Sequence, residues 1–348
     1  MQQEEAQQKG LQMMTIRELE SACAASQPPD FPEYAFDVPD LSLGAMYHPL
    51  GFPVELRTNS SEILRQAGCL WSMFKHRFQT DPIQVDIHVV ESDSRECPPT
   101  PGFRMMYPFL VSMADQDNFS IVDLCRNRTQ ITVSRAAERH TSYLGYFFLG
   151  ASPLCHIATR YTTPVHAACV AMNGRGVLLC GDSGAGKSSL SYACARSGFT
   201  YVSDDASYLI NDSSDRLVTG NCHQIRFRPS AAELFPEVGG VGITPRAMGK
   251  PSIEMPTASI PHLIATETAR VDFMIFLNRN ANGPTGLEPY PRDVARYFAR
   301  QVLYGSPKTQ AVQHQTIERL LTAEILELRY SDLHWAVDRV RRLLCGAV

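Results

Sequence analysis

Apolar and polar residues follow two different patterns along this chain, and the first pattern is replaced by the second near residue 150. Over residues 41–150 the pattern is mixed: strict alternation at 83–90 predicts a strand, and apolar positions spaced i, i+3 and i+4 predict a helix over 62–78. From residue 155 onward, short apolar runs alternate with glycine-bearing turns and amphipathic helical repeats. This order of elements predicts an α/β domain preceded by a smaller α+β domain.

The pattern divides the first half of the chain further. Residues 1–40 are polar and interrupted by prolines, so we interpret them as an N-terminal arm rather than a domain. Within 41–150, we predict an edge strand at 53–57, further strands at 109–113, 119–123 and 130–134, and a helix at 136–148. No motif in this half carries recognisable chemistry, which leaves it as a candidate for substrate recognition or assembly.

A glycine-rich segment in the second half matches the P-loop pattern, in which backbone N–H groups surround nucleotide phosphates. An apolar run at 177–180 predicts a strand before it, and helical spacing after it predicts a helix whose N-terminus faces the same anion. The lysine of this pattern neutralises the β- and γ-phosphates, and the hydroxyl after it binds Mg²⁺. The residues predicted to bind nucleotide are Gly181, Asp182, Ser183, Gly184, Ala185, Gly186, Lys187, Ser188 and Ser189.

Two adjacent carboxylates, Asp204 and Asp205, follow the next predicted strand at 199–203. An acidic pair at a strand end can simply cap a turn. Beside a P-loop, however, Mg²⁺ binding and proton transfer explain the pair better. We therefore include both residues in the candidate site.

A hairpin brings a histidine toward the same place. Asn173-Gly174 predicts a tight turn between a strand at 164–172 and the strand at 177–180. The start of the first strand then lies beside the end of the second, so we expect His166 to lie where the P-loop begins. A histidine on a strand is otherwise more often a core residue, and this position favours the functional interpretation.

Three cations outside the P-loop are further candidates. Arg226 and Arg228 alternate on one predicted strand, so they share a face that either grips phosphates or is simply solvated. Lys250 lies in a Gly- and Pro-rich stretch at 236–256, interpreted as a long loop of the kind that closes over ligands.

Composition excludes several function classes. With 348 residues and a net charge of −4, the chain has no basic field that would attract nucleic acid or anionic lipid. Its ten cysteines include no Cys-x-x-Cys pair, so we expect reduced thiols rather than disulfides or zinc. We identify no signal peptide and no apolar run of membrane-spanning length, and expect a cytoplasmic protein that can form a homo-oligomer.

These residues resemble the catalytic domain of bacterial HPr kinase/phosphorylase, a member of the kinases that share a fold with phosphoenolpyruvate carboxykinase. The similar stretch runs from His166 to Asp205. By position, the resemblance implies that Lys187 holds the phosphates, that Ser188 and Asp204 serve the metal, and that Asp205 takes the proton from the acceptor. It also implies that His166 lies near the transferred phosphoryl group. Arg226 and Lys250 are further catalytic candidates, on the strand and loop patterns given above rather than on the resemblance.

The resemblance implies a P-loop kinase domain of this type over residues 155–348, with ATP or another nucleoside triphosphate and Mg²⁺ as cofactors. The expected reaction moves the γ-phosphoryl group to a hydroxyl, a serine of a peptide or protein being the expected acceptor. Ser189 and the neutral Gln224 stand where that family has glutamates, and its arginine-rich loop is missing. We therefore expect no phosphorylase activity and do not expect HPr itself as the substrate.

Two other functions remain open at this point. Small-molecule kinases share the P-loop pattern, although adenylylsulfate kinases lack an Asp-Asp strand end at this distance. A nucleotide-binding sensor that no longer catalyses is the alternative from a different class, and the changed metal-ligand segment favours it.

Overall fold

The computed structural model describes residues 41–244, 251–280 and 283–346. The predicted N-terminal arm at 1–40 and the candidate Lys250 lie outside these ranges. The described residues form two compact units, and the sequence-based boundaries at 150 and 155 stay predictions. The first unit comprises residues 41–47, 53–72 and 80–156, and the second comprises 48–52, 73–79 and the residues from 157 onward.

The first unit is built on a seven-stranded sheet with the order β1-β2-β3-β7-β6-β5-β4. Its strands are β1 Leu43–Tyr47, β2 Val54–Thr58, β3 Ile83–Val90, β4 Gly102–Met106, β5 Phe109–Asp115, β6 Asn118–Asp123 and β7 Arg128–Ser134. The pairs β2–β3 and β3–β7 are parallel, and the other pairs are antiparallel. Its helices are α1 Ser61–Trp71, α2 Arg135–Arg139, α3 Thr141–Leu144 and α4 Ala151–His156, with a π-helical segment at Gly145–Gly150.

The helix predicted over 62–78 is shorter than expected. It begins as predicted, because the Ser60 hydroxyl accepts a hydrogen bond from the Glu62 backbone N–H at 3.2 Å. It ends at Trp71, since the following residues pack within the second unit. There the ring of Phe74 lies 4.6 Å from that of His223. The prediction was wrong beyond Trp71 because tertiary packing overrode the helical spacing.

Two other predictions for this unit need correction. The strand predicted at the edge, 53–57, is β2, and it lies inside the sheet between β1 and β3. The helix predicted over 136–148 is divided into α2, α3 and the beginning of the π-helical segment. The strands predicted at 83–90, 109–113, 119–123 and 130–134 are confirmed within one to two residues.

The second unit contains a ten-stranded sheet and a small three-stranded one. Its strands are β8 Thr162–Val165, β9 Ala167–Met172, β10 Arg175–Cys180, β11 Thr200–Ser203, β12 Ser207–Ile210, β13 Leu217–Gly220, β14 Gln224–Phe227, β15 Ile243–Thr244, β16 Ser252–Pro256, β17 Ile264–Ala265, β18 Thr268–Arg279, β19 Gly286–Pro289 and β20 Glu324–Tyr330. Its helices are α5 Lys187–Arg196, α6 Arg292–Arg300, α7 Pro307–Leu320 and α8 Leu333–Cys345, with a π-helical segment at Ile157–Tyr161.

Helices cover both faces of the ten-stranded sheet. Successive residues of β9 point to opposite faces: Ala167 and Cys169 join the core under α6 and α7, whereas Ala168 and Val170 join the core under α5 and α8. Because both faces are covered, the central strands are apolar throughout instead of alternating. This layered α/β arrangement is the one predicted from the sequence.

The strand directions bring the candidate site residues to one edge of this sheet. Strand β10 is parallel to β18, which is parallel to β20. Strand β9 is antiparallel to both β10 and β11, so β11 runs in the same direction as β10. The carboxyl ends of β10 and β11 therefore meet at the same edge, the usual ligand-binding edge of an open α/β sheet.

The predicted hairpin is confirmed, but its first strand is broken. Asn173 and Gly174 have φ values of 53° and 75°, the left-handed geometry that a tight hairpin turn requires. The strand predicted at 164–172 is two strands, since β8 pairs with β12 and β9 pairs with β10. The break falls at His166. Ala167 is paired with Cys180, so His166 lies beside the start of the P-loop, as expected.

The stretch predicted as a long loop at 236–256 is partly ordered as sheet. Strands β15 and β16 pair with each other, and β16 pairs with β14 to form the small sheet. Within the described ranges, no helix is long and apolar enough to cross a membrane.

Candidate functional site

The P-loop is a tight turn from β10 into α5 that only glycine can make. Gly186 has a φ of 98°, and a Cβ on it would lie 2.9 Å from the Tyr330 hydroxyl oxygen. Its carbonyl accepts the first helical hydrogen bond, from Leu190 N at 2.8 Å. The first backbone N–H groups of α5 have no partner within the helix, and such groups bind anions well.

Lys187 is folded back onto its own loop. Its Nζ donates to the carbonyl oxygens of Gly181 at 2.7 Å and Asp182 at 3.3 Å, and lies 2.9 Å from His166 Nε2. The residue is 5 % exposed, and this burial lowers the pKa of its amine. No carboxylate of the described residues is hydrogen-bonded to this cation, so its charge is available to an incoming anion.

His166 joins Lys187 to Asp205. A protonated lysine only donates, so His166 Nε2 must accept, which puts the ring hydrogen on Nδ1. Nδ1 lies 3.6 Å from Asp205 Oδ1. Burial, followed by the charge of Lys187, lowers the pKa of His166, so the ring is neutral at pH 7. The side chains of Lys187, His166 and Asp205 thus follow one another from the buried P-loop lysine to the exposed carboxylate.

The two adjacent carboxylates are placed very differently. The Asp205 side chain is 66 % exposed. Asp204 is buried, and its Oδ2 accepts a hydrogen bond from the backbone N–H of Arg226 at 2.7 Å. Burial raises the pKa of Asp204 to about 6, and the nearby charge of Asp205 acts in the same direction. The Ser188 hydroxyl donates to the Asp204 backbone carbonyl at 3.4 Å, which joins this strand end to the P-loop.

Not every predicted site residue directs its side chain toward Lys187, His166 and Asp205. The Arg226 side chain pairs with Glu254 on β16, with 3.3 Å between Nε and Oε1. Its backbone, not its guanidinium group, contacts the acidic pair. Arg228 instead reaches the P-loop, and its Nη2 donates to Ser183 Oγ at 2.7 Å. The spacing of the two arginines predicted that they share one face of the strand. It did not predict which of them contacts the P-loop.

Tyr330 is a site neighbour that sequence reasoning missed. It ends β20, its hydroxyl faces Gly186, and burial raises its pKa to about 12. Only the parallel pairing of β20 with β18 brings it to this edge of the sheet, and no local pattern contains that information.

Comparison with known proteins identifies the segment that carries this geometry. Residues 158–249 match the family model described as the HPr Serine kinase C-terminal domain. This segment is HPr-kinase-like. The resemblance seen in the sequence is confirmed, as is the α/β P-loop fold class.

A solved structure, the Hpr(Ser) kinase/phosphatase from Coxiella burnetii, is similar at 15 % identity with a TM-score of 0.31. The similarity covers 53 % of this chain and 93 % of that one. No curated protein sequence matches the chain significantly.

The HPr-kinase-like segment offers oxygen ligands for a divalent cation. The Ser188 hydroxyl lies beside Asp204, to whose backbone carbonyl it donates at 3.4 Å, and oxygen is the ligand atom that Mg²⁺ prefers. No cluster of three or more His, Cys, Asp or Glu side chains arranged for a metal occurs among the described residues. Mg²⁺ is usually held by one or two carboxylates together with waters and substrate phosphates, so these residues fit the ion as part of a nucleotide complex.

Proposed function

We propose that this chain is an ATP-dependent, Mg²⁺-requiring kinase that moves the γ-phosphoryl group to a hydroxyl, with a serine of a peptide or protein as the acceptor. One observation carries the proposal: the buried Lys187 amine and the exposed Asp205 carboxylate lie at opposite ring nitrogens of His166. The match to the HPr Serine kinase C-terminal domain supports it.

Lys187 and the loop amides would bind the phosphates. Phosphoryl transfer requires mainly positioning and charge neutralisation from the protein. When a nucleotide binds, phosphate oxygens would replace the carbonyl oxygens of Gly181 and Asp182 as acceptors for the Lys187 amine. Mg²⁺ bound with the nucleotide would neutralise further phosphate charge, with Ser188 and Asp204 as its protein ligands.

Asp205 is the better candidate for the base. A base must first reach the acceptor hydroxyl, and only then does its pKa matter. Asp205 is exposed, whereas the Asp204 carboxylate is buried against the backbone of Arg226. The Nδ1–H of His166 would orient the Asp205 carboxylate, and its neutral ring would keep a second positive charge away from Lys187.

The test is phosphoryl transfer by the full-length chain. Purified protein would be incubated with γ-labelled ATP, Mg²⁺ and a panel of serine peptides and small hydroxyl compounds. Asp205→Asn should lower transfer by about 10²- to 10³-fold, the usual effect of losing a general base, with little change in nucleotide affinity. Lys187→Met should weaken nucleotide binding as well, and Asp338→Asn, an exposed position on α8, is the matched control.

Full transfer by Asp205→Asn would overturn the assignment of the base. A sensor function is the second candidate, favoured by the retracted Lys187 and by the hydrogen bond that already engages Asp204. Nucleotide binding by the wild-type chain without transfer to any compound in the panel would support that alternative.

A further inference from the structure

Two arginines at the end of β14 differ in what they contact. Ile225 and Phe227 point into the core and are fully or almost fully buried, so Arg226 and Arg228 share the opposite, exposed face. The Arg226 charge is offset by Glu254 at 3.3 Å. Within the described ranges, Arg228 forms no ion pair, and its Nη2 donates to the neutral hydroxyl of Ser183 at 2.7 Å.

Arg228 is held against the P-loop by the core beneath it. The ring of Phe227 packs edge-on against Tyr192 of α5, with 5.0 Å between ring centroids. Helix α5 is also the helix that begins at the P-loop lysine. Pro229 starts a 3₁₀ turn directly after Arg228, which fixes the direction of the chain there. The backbone that carries Arg228 is therefore anchored to the same helix that begins at the P-loop.

The charge of Arg228 also acts at the phosphate-binding position. It lies close enough to Lys187 to contribute to lowering the pKa of that amine. Two cations that lie near each other repel, and an anion bound between them relieves this repulsion. A planar guanidinium group suits phosphate oxygens better than a hydroxyl, because its paired N–H donors match two of them.

We propose that Arg228 leaves Ser183 when nucleoside triphosphate binds and contacts the terminal phosphate, so that it distinguishes triphosphate from diphosphate. This inference rests on the proposed function, because it assigns a further residue to the same site. In transfer, the negative charge is spread over the oxygens of the moving phosphoryl group. Of the two described arginines at the end of β14, Arg226 is paired with a carboxylate, whereas Arg228 donates to a neutral hydroxyl and can exchange it for this charge.

Nucleotide affinities of the full-length chain provide the test. Binding of Mg²⁺ with ADP, and with the non-hydrolysable β,γ-imido analogue of ATP, would be measured by calorimetry. Arg228→Ala should weaken binding of the triphosphate analogue by roughly tenfold or more, as expected for losing a hydrogen bond to a charged group, and ADP binding by less than about threefold. Arg226→Ala should have a smaller effect on the ratio of the two affinities.

Two further variants separate this role from support of the loop. Ser183→Ala removes the competing partner of Arg228, so the preference for triphosphate should stay the same or rise. Arg342→Ala, an exposed arginine paired with Asp338 on α8, should change neither affinity. If Arg228→Ala weakens both nucleotides equally, or neither, the inference is wrong. A wild-type chain that binds no adenine or guanine nucleotide would overturn the proposed function itself.

Discussion

Two buried carboxylates, one in each compact unit, are surrounded in opposite ways. Asp86 on β3 is 5 % exposed and accepts two hydrogen bonds from Arg57, at 2.7 and 2.9 Å, and two from Arg128, at 3.1 and 2.7 Å. Asp204 is 9 % exposed and accepts one, from a backbone N–H. No ion pair to Asp204 forms within the described part of the chain.

We interpret this difference as one between a structural charge and the functional charge proposed for Asp204. Asp86 is the centre of a paired network on the seven-stranded sheet, where its charge is countered on both sides. Ionising the Asp204 carboxyl group costs free energy in the folded state, because burial raises its pKa to about 6. Groups with such perturbed titration cluster at functional sites. Substitutions of Asp86, of Asp204 and of Arg57, a partner of Asp86, test this comparison through folding stability.

Removing the charge of Asp86 should have the largest effect on stability. Asp86→Asn leaves two guanidinium groups facing a neutral amide, and we expect a loss of about 3 kcal/mol. That value is at the low end for a broken buried pair, because both arginines are partly solvated. Urea denaturation of the full-length chain would measure it, and Asp338→Asn should change stability far less.

Neutralising Asp204 should raise the stability of the folded protein, whereas neutralising Asp86 should lower it. Its folded pKa of about 6 lies above the ordinary value of 3.8, so ionisation destabilises the folded state as the pH rises from about 4 to about 6. Asp204→Asn should therefore be more stable than the wild type by about 2 kcal/mol at pH 7, and equal to it near pH 4. A destabilised variant at pH 7, measured by denaturation across this range, would contradict the comparison.

The smallest expected effect is at one partner of Asp86. Arg57→Lys keeps the positive charge but loses the paired donors, and should lower stability by about 1 kcal/mol. Its denaturation midpoint should fall between those of the wild type and Asp86→Asn. A loss as large as that of Asp86→Asn would show that geometry, rather than charge, holds the network together.

Local patterns predicted much of the structure around the P-loop. The strand, loop and helix around Lys187, the hairpin at Asn173-Gly174 and the strand before Asp204 each depend on contiguous residues, and all three are present in the structure. Predictions failed where distant partners decide. The helix α1 ends early because Phe74 packs elsewhere, and the strand through His166 breaks because its halves have different neighbours.

The P-loop, the acidic pair after it and the α/β class could all be read from local sequence, because backbone requirements and hydrophobic periodicity act over short stretches. Three outcomes required the folded chain: Arg228 rather than Arg226 reaches the loop, Tyr330 lies against Gly186, and Asp204 is buried while Asp205 is exposed. Those outcomes depend on strand pairing and on which side chains lose water, and both are settled by residues far apart in the chain.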